Sequence, residues 1–514
     1  MSRTRNSAHL GGTLPVYLSA PVKKFHGGRE SLEEAALAGA LALREACGAA
    51  PLETILLGSA HPYEFGGLTG PELAERTAAA LRARGVALSV EFFSRPGVYV
   101  PEAALAASAN GADLLHEAAL RVARGERRTI GVLALEQMRL KETAETTAIL
   151  RSLIHEDERR YGLTMPALGA LLESYAVSRV DGLERALREM IFLNRRNATA
   201  NPRAHVRKAV SPDDYESEKN PIVSDPLRLW GVAPVSSGYA ALRVSSEPSG
   251  ERAVRVVAIG QGLDRVSVAA RARFLRSRAT AQAMANLDAC LGRPFAEIRG
   301  EVRYAEIHDA FPIIEYQGLV DTGLLDEATA VRDILAGAIA PDGRIPVNLS
   351  GGVMAGHPVG ATGVGQIVEL TVEGLGLAER PRTWPLPHYS LAFNVGGPAT
   401  YNCVTLLRVE TASDAAPPAT IDLPRRFERR DLDLSAPNGD LAAREGRVIS
   451  ATRLFYPPPG YPTPTEILFV ELPDRRAFAI PDEPRIGKAD VVLLTEIGGL
   501  LHARRAIDAR PSGS

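Results

Sequence analysis

The sequence predicts an α/β protein in which two cycles of strands and helices are followed by a small all-β domain. Over about the first 410 residues, short apolar runs of β-type residues alternate with alanine-rich helical runs. Such alternation is typical of mainly parallel sheets covered by helices. Beyond residue 410, short apolar strands separated by Pro- and Gly-rich turns replace the helices. This change of pattern favours a small antiparallel barrel at the C-terminus.

The first cycle opens with a strand at residues 16–19 and a helix that begins at Ser31. Ser31 and Glu34 have the spacing of a capping box, in which each side chain bonds a backbone N–H of the other residue, so the helix start is well defined. The rest of the cycle consists of strand 54–58, helix 71–84, strand 89–93, helix 112–124 and the buried central strand 129–135.

Residues 140–225 interrupt the alternation with charge-rich helices and polar loops, as an excursion between two strands of one sheet does. The second cycle starts at strand 254–259, continues through a helix predicted over 269–291 and ends near Val409. A linker-like stretch at 412–420, rich in Ala and Pro, follows. The C-terminal strands are predicted at residues 446–455, 466–472, 476–480 and 489–494.

The composition excludes several classes of protein. With 59 basic and 61 acidic residues, the chain has no net field that would attract nucleic acid or an anionic membrane. No apolar run is long enough to span a bilayer and the polar N-terminus shows no signal sequence, so we expect a cytoplasmic protein. The cysteines, Cys47, Cys290 and Cys403, are too widely spaced for a metal motif, so we expect no metal to be bound. Cys47 lies in an apolar helical pattern and Cys403 in a strand-like one, so we expect both to be buried.

The most informative segment is residues 348–363, NLSGGVMAGHPVGATG, which places His357 in a run of glycines just before a helical pattern at 364–370. Glycines such as Gly356 and Gly360 allow the backbone to approach a ligand closely, and the first amides of the helix favour a developing negative charge. A tight strand-to-helix turn would have the same pattern. The segment is not a phosphate-binding P-loop, because no Gly-Lys-Ser/Thr follows.

The segment around His357 resembles the Gly-His-Pro block of thiolases. Three further blocks, in the right order, resemble the branch related to the sterol-carrier-protein thiolases: EIHDAF at 306–311, IVSDPLRL at 222–229 with PVSSGYAAL at 234–242, and LAFNVGG at 391–397. Together these blocks cover about residues 12–410. The predicted C-terminal barrel resembles the extra domain of thiolase-like proteins of type 1 and, more distantly, the oligonucleotide/oligosaccharide-type (OB) barrels that partner some thiolase-like enzymes.

This resemblance implies the duplicated five-layer α/β fold of thiolases with an inserted loop domain. Its N-terminal half spans residues 1–248 and includes the loop domain at about 140–225. Its C-terminal half spans residues 249–411, and the additional OB-like barrel spans 420–514. Thiolases form dimers or tetramers, but the extra domain can cover the dimerisation surface, so we expect a homodimer or a monomer.

Two positions depart from the thiolase pattern. The loop that carries the nucleophilic cysteine in thiolases is matched by SANG at 108–111, ahead of a helix containing His116, so Ser108 stands at the nucleophile position. The second, acid/base cysteine is matched by Asn394. Both thiols of an ordinary thiolase are therefore absent.

The resemblance assigns roles to the residues that remain. His357 corresponds to the imidazole that activates the nucleophile and binds an oxyanion, His308 lines the same oxyanion hole, and backbone amides near Ser108 and Gly396 form a second one. Gly356, Gly360 and Gly396 are expected to contact coenzyme A or an acyl-CoA, which is a substrate rather than a covalently bound cofactor. Reaction at Ser108 would need His357 as a full general base, as in serine hydrolases; otherwise the serine only fills the loop.

Three functions are consistent with these residues. The favoured one is an acyltransferase of the thiolase superfamily that makes or breaks carbon–carbon bonds in lipid and acyl-CoA metabolism, because both histidines and both glycine loops are present. The alternatives are a non-catalytic acyl-CoA-binding carrier and an aldolase-type lyase that uses Tyr304 or Tyr316. A basic cluster in the loop domain either meets phosphates or forms a solvated face; it comprises Arg195, Arg196, Arg203, His205, Arg207 and Lys208.

Overall fold

The structure of the protein is a computed structural model that describes residues 14–93, 107–379, 382–414, 441, 444–484 and 486–506. Its strands are β1 Tyr17–His26, β2 Thr54–Gly58, β3 Ser89–Phe92, β4 Thr129–Gln137, β5 Ile222–Ser224, β6 Leu227–Arg228, β7 Ser237–Ser245, β8 Arg252–Leu263, β9 Val302–Ile307, β10 His388–Gly396, β11 Tyr401–Thr411, β12 Glu445–Leu454, β13 Thr465–Glu471, β14 Arg476–Pro481, β15 Val491–Ile497 and β16 Leu500–Arg505.

The helices are α1 Leu32–Cys47, α2 Pro62–Gly66, α3 Gly70–Arg82, α4 Asn110–Ala123, α5 Thr143–Arg151, α6 Glu156–Arg159, α7 Met165–Val177, α8 Leu183–Ala200, α9 Pro212–Glu216, α10 Arg278–Leu291, α11 Pro312–Asp321, α12 Ala330–Leu335 and α13 Thr362–Gly374. The capping box predicted at the start of α1 is present, with Ser31 and Glu34 bonded reciprocally. No helix within the described ranges is long and apolar enough to cross a bilayer.

The two cycles form one nine-stranded sheet in the order β3-β2-β4-β7-β1-β8-β11-β10-β9. The first five strands belong to the N-terminal half and the last four to the C-terminal half. The halves join through the antiparallel pair β1 and β8, in which Tyr17 faces Arg255 and Leu18 faces Val254. The expectation of mainly parallel pairing is wrong, because the sheet is mixed: β10 and β11, for example, are joined by a short turn and pair antiparallel.

Helices lie on both faces of each half-sheet, which gives the five-layer arrangement. Alternate residues of β4 face opposite layers, as strand geometry requires: Leu133 packs in a cluster with Leu43 of α1, and Val132 in another with Leu115 of α4. Helices α4 and α13 contact strands of both halves and form the middle layer, and α10 covers the outer face of β8 and β11. The predicted duplicated thiolase fold is confirmed.

The two middle helices touch through their backbones. A Cβ atom on Gly363 of α13 would lie 2.3 Å from the backbone nitrogen of Ala112 in α4, and one on Gly111 would lie 2.8 Å from the nitrogen of Val364. Glycine is therefore required on both sides of the crossing. This close approach brings together the N-termini of α4 and α13, and the loops that precede them.

One predicted helix begins later than expected. The helix predicted over 269–291 starts at Arg278, because the preceding residues form a loop held by a buried carboxylate. Glu158 accepts hydrogen bonds from the Ser267 hydroxyl and the Ala269 backbone N–H, both at 2.8 Å. These partners are more than 100 residues apart in sequence, so local sequence pattern alone favoured a helix.

The C-terminal strands form a closed five-stranded barrel in the order β12-β13-β14-β16-β15, with β12 pairing both β13 and β15. This confirms the predicted barrel, but it is not wholly antiparallel, because β14 and β16 pair parallel. The sequence analysis missed β16, although Gly498 and Gly499, both with positive φ, form the two-residue turn typical of a β-hairpin before it. The predicted linker at 412–420 lies mostly outside the described residues.

The inserted region lies between β4 and β7, which are neighbours in the sheet, as predicted for an excursion between two strands. It packs against the barrel. Leu168 and Leu171 of α7 share a hydrophobic cluster with Leu454 and Phe469 of the barrel, and β5 adds to the barrel edge at β12. The barrel is thus attached to the inserted region by a common core.

Candidate functional site

Ser108 and His357 meet between the N-termini of α4 and α13. The Oγ atom of Ser108 lies 3.4 Å from Nε2 of His357, and Ser108 is only 6% exposed. The preceding residue, Ala107, has a φ of 34°, a left-handed conformation that is costly for alanine and that is found mainly at functional sites. The predicted pair of nucleophile position and imidazole is therefore assembled from residues 249 positions apart.

The hydrogen bonds of Thr362 fix the tautomer of His357. The Thr362 hydroxyl donates its one proton to the carbonyl of Pro358, at 3.1 Å. It must therefore accept from Nδ1–H of His357, which lies 2.8 Å away. The ring proton of His357 is then on Nδ1, and the lone pair of Nε2 faces the Ser108 hydroxyl. This is the arrangement of a general base beside a nucleophile.

Burial lowers the pKa of His357 to about 4, and the pKa of His308 lies well below its usual value because of burial and, to a smaller extent, the neighbouring His357. The two rings are nearly perpendicular, with centroids 5.4 Å apart. Both imidazoles are therefore neutral at neutral pH, so each offers one donor and one acceptor nitrogen.

Asn394 orients His308. The side chain of Gln366 donates to the carbonyls of Phe393 and Glu306, which leaves its Oε1 to accept from Asn394 Nδ2 at 2.8 Å. The same Asn394 nitrogen lies 3.4 Å from Nδ1 of His308. Since an amide nitrogen carries two protons, it donates to both groups, and the ring proton of His308 is on Nε2. His308 thus has an N–H group available to a ligand.

Asp309 holds the loop that leads to His357. Its buried carboxylate accepts from the backbone N–H groups of Val353 and Met354 and from the Asn194 side chain. A Cβ atom on Gly352, whose φ is 65°, would lie 2.3 Å from this carboxylate. Burial raises the pKa of Asp309 despite these bonds. Asp309 therefore orients the loop at 352–354 through these hydrogen bonds.

The three glycines predicted to contact the ligand lie at close packing contacts. A Cβ atom on Gly360 would lie 2.6 Å from the backbone nitrogen of Ala60, one on Gly396 would lie 2.8 Å from Cβ of Ala109, and one on Gly356 would lie 3.1 Å from Cβ of His205. These three glycines do not line the cavity beside His357, whereas Gly27 and Gly397 do. These glycines therefore allow the loops that carry them to approach their neighbours.

A cavity of about 800 Å³ reaches Ser108, His308 and His357. The inserted region contributes most of its wall, with apolar side chains from α5, from the start of α7 and from the segment 206–235. Two residues of the C-terminal barrel, Leu454 and Tyr456, also line it. Such a size and such a mainly apolar wall are typical of small-molecule sites.

The predicted basic cluster divides into two groups. Arg195, His205 and Lys208 line the cavity, where the Lys208 ammonium lies 5.3 Å from the ring centre of Trp230. Arg203 instead forms a buried ion pair with a glutamate of α13. Arg196 and Arg207 are absent from the lining residues; Arg207 donates to the backbone carbonyl of Thr199. The cavity therefore has a local positive charge, which the balanced net charge of the chain does not show.

Neither tyrosine proposed for an aldolase-type lyase lines the cavity. Tyr304 is buried, donates to Glu306 and stacks near Trp384, and Tyr316 is on α11 in the hydrophobic core. The tyrosine that lines the cavity is Tyr456, which no sequence pattern indicated. Thr362 was also missed, although it lies in the same glycine-rich segment as His357.

The described part of the chain contains no group of His, Cys, Asp and Glu side chains placed to hold a metal ion. Cys47 and Cys403 are buried, as expected, and so is Cys290. The residues at the cavity offer neutral imidazoles, a serine hydroxyl, an asparagine amide and nearby backbone amides.

Known proteins share this fold. Residues 261–409 match the family described as thiolase C-terminal domain-like. The chain is 29% identical over 298 residues to the acetyl-CoA acetyltransferase of Methanothermobacter thermautotrophicus, a match that spans 57% of this chain and 76% of that protein. It also resembles a monomeric SCP2-thiolase-like protein type 1 from Mycobacterium smegmatis, with a TM-score of 0.68 and 16% identity over 97% of this chain and 99% of the other. The Ltp2-ChsH2(DUF35) aldolase gives a TM-score of 0.54 and 17% identity over 79% and 98% of the two chains.

Proposed function

We propose that this chain, which matches the thiolase C-terminal domain-like family over residues 261–409, is an acyltransferase-like enzyme of acyl-CoA metabolism that takes an acyl group from a CoA thioester onto Ser108. The observation that carries this proposal is the hydrogen-bond chain from Ser108 through His357 to Thr362 at the cavity. The acetyl-CoA acetyltransferase relative supports a CoA thioester as the acyl donor.

The cavity offers what an acyl-CoA requires. Its apolar wall suits the acyl carbons and the pantetheine chain, and Arg139, His205 and Lys208 provide donors or positive charge for phosphate oxygens. The thioester carbonyl is placed beside His308, whose Nε2–H can donate to the developing oxyanion.

In the acylation step, Oγ of Ser108 attacks the thioester carbonyl carbon and its proton passes to Nε2 of His357. Collapse of the tetrahedral intermediate breaks the C–S bond, and the sulfur leaves as a thiol with the proton from Nε2. The products are a serine ester and free CoA. The low pKa of His357 makes it a weak base, but the neighbouring oxyanion favours the imidazolium while both charges exist.

The second half of the reaction differs from that of an ordinary thiolase. The Asn394 carboxamide cannot exchange a proton at neutral pH, so it cannot activate a carbon nucleophile as the second thiolase cysteine does. His357, regenerated with a free Nε2, can activate water or an alcohol. The acyl group therefore passes to an oxygen acceptor, of which water is the simplest, and carbon–carbon bond chemistry would require another acid/base.

The test is release of CoA thiol from acyl-CoA substrates, followed with a thiol-reactive dye. We expect slow release by the native protein, at least about a hundredfold less for Ser108→Ala, and negligible thiolysis of acetoacetyl-CoA by either. Ser390→Ala is the matched control, because Ser390 is also buried and its Oγ has no hydrogen-bond partner among the described residues. Equal release by native protein and Ser108→Ala would refute the proposal.

A non-catalytic acyl-CoA carrier is the second candidate. It is favoured by the 3.4 Å separation of Ser108 and His357, which is long for a hydrogen bond between a hydroxyl and an imidazole. Calorimetry separates the two functions. Tight acyl-CoA binding without any thiol release would identify a carrier.

A further inference from the structure

The C-terminal barrel forms part of the wall of the catalytic cavity. Leu454, at the end of β12, and Tyr456 line the same space as Ser108, His308 and His357. Ordinary positions on an appended domain would face solvent. Here a ligand that fills the cavity contacts the barrel and the catalytic residues at once.

Backbone hydrogen bonds fix this part of the barrel against the inserted region. The N–H of Asp225 donates to the carbonyl of Arg453 at 3.0 Å, and the N–H of Phe455 donates to the carbonyl of Val223 at 3.1 Å. Val223 itself lines the cavity. Tyr456 follows β12 in the chain. The pairing of β12 with β5 therefore fixes where this segment lies relative to the cavity wall.

A second set of contacts attaches the barrel to α7 and to the loop that precedes it. The hydroxyl of Ser450 donates to the carbonyl of Leu171 in α7 at 2.8 Å, and the N–H of Leu501 donates to the hydroxyl of Tyr161 at 3.1 Å. The first residue of α7, Met165, lines the cavity. The same elements therefore carry both the barrel and the cavity wall.

The part of the cavity wall that the inserted region and the barrel share is apolar. The apolar lining that the inserted region and the barrel share includes Leu150, Leu153, Val223, Leu229, Trp230 and Leu454. Burial of a long or cyclic hydrocarbon against this wall is favourable in proportion to its area.

We infer that the barrel provides an acyl-chain subsite, in which a bulky apolar acyl group packs against Leu454 and Tyr456. This inference rests on the proposed binding of acyl-CoA and adds the class of substrate. The ring of Tyr456 is the part of this wall that can be changed without disturbing the core, because the residue is 61% exposed, whereas Leu454 is almost fully buried.

The test compares the affinities of CoA, acetyl-CoA and decanoyl-CoA by calorimetry for the full-length protein and two variants. We expect the native protein to prefer decanoyl-CoA. Tyr456→Ala should weaken decanoyl-CoA binding by about tenfold, the effect of losing part of one aromatic contact, and weaken acetyl-CoA binding much less. Tyr63→Ala is the matched control, since Tyr63 is 62% exposed on α2 and outside the cavity lining; it should change neither affinity.

Photolabelling gives an independent readout. A decanoyl-CoA with a photoreactive diazirine at the end of its chain should label the peptide that contains Leu454 and Tyr456. Equal affinities for acetyl-CoA and decanoyl-CoA, or labelling confined to other peptides, would overturn the inference while leaving the proposed function intact. Failure of CoA and of both thioesters to bind the native protein would overturn the proposed function itself.

Discussion

Thr362 determines which nitrogen of His357 carries the ring proton, so its hydroxyl should affect the rate of acyl transfer more than the binding of the substrate. Thr362→Val keeps the branched shape and removes the hydroxyl. Nδ1–H of His357, which lies 2.8 Å from that hydroxyl, then loses its acceptor. The ring can respond by carrying its proton on Nε2, where it can no longer accept the proton of Ser108.

The size of the effect follows from the bond that is lost. A buried donor without a partner costs about 1–3 kcal/mol, and this cost applies to the tautomer that has a free Nε2. At the lower end of that range the rate constant for CoA release falls about fivefold, and at the upper end more than a hundredfold. The Michaelis constant should stay near its native value, because Thr362 lies behind His357 and is not among the residues that line the cavity.

Thr371→Val is the matched control for this experiment. Thr371 is buried in the same helix, and its hydroxyl donates to the carbonyl of Ile367 at 2.8 Å, as that of Thr362 donates to Pro358. It differs in having no histidine partner among the described residues. Thr362→Ser should restore much of the rate. If Thr362→Val loses no more activity than Thr371→Val, the assigned role of the Thr362 hydroxyl is incorrect.

Two further predictions concern stability. Gly363→Ala should lower both the melting temperature and the rate of CoA release, because the new Cβ atom would lie 2.3 Å from the backbone nitrogen of Ala112 and force α4 and α13 apart. Thermal unfolding measures the first effect and the thiol assay the second, and an unchanged melting temperature would contradict the backbone contact. Glu173→Gln should stabilise the protein increasingly as the pH rises from about 4.5 to 8. Burial raises the pKa of the Glu173 carboxyl to about 8, so over this range the carboxyl ionises in the unfolded state but not in the folded state, which destabilises the native protein by on the order of 1.4 kcal/mol per pH unit, a few kcal/mol in total. A gain in stability that is equal at pH 5 and pH 8 would argue against this cause.

Much of the fold followed from the sequence because its signals are local. The capping box of Ser31 and Glu34 fixed the start of α1, and the alternation of strands with helices identified both halves. The late start of α10 and the attachment of the barrel did not follow, since they depend on partners distant in sequence. Glu158 reaches across to Ser267, and Ser450 reaches back to Leu171.

The candidate site shows the same division. The resemblance to thiolases predicted that Ser108, His308, His357 and Asn394 would come together, and the structure places them around one cavity or in hydrogen-bond contact. The contribution of Tyr456 could not be predicted, because a residue of an appended domain reaches the site only through the packing of that domain. Local pattern likewise cannot show which glycines line a cavity and which separate closely packed backbones.

The most direct test of the central claim is the mass of the protein and its peptides after brief mixing with an acyl-CoA and acid quench. Acylation of Ser108 predicts that the native protein gains the mass of one acyl group on the peptide that carries Ser108, with an equal amount of CoA released. The Ser108→Ala variant should gain none, although it binds the same thioester. Acyl-CoA that binds to the native protein without modifying this peptide, or that modifies Ser108→Ala to the same extent, would contradict the account.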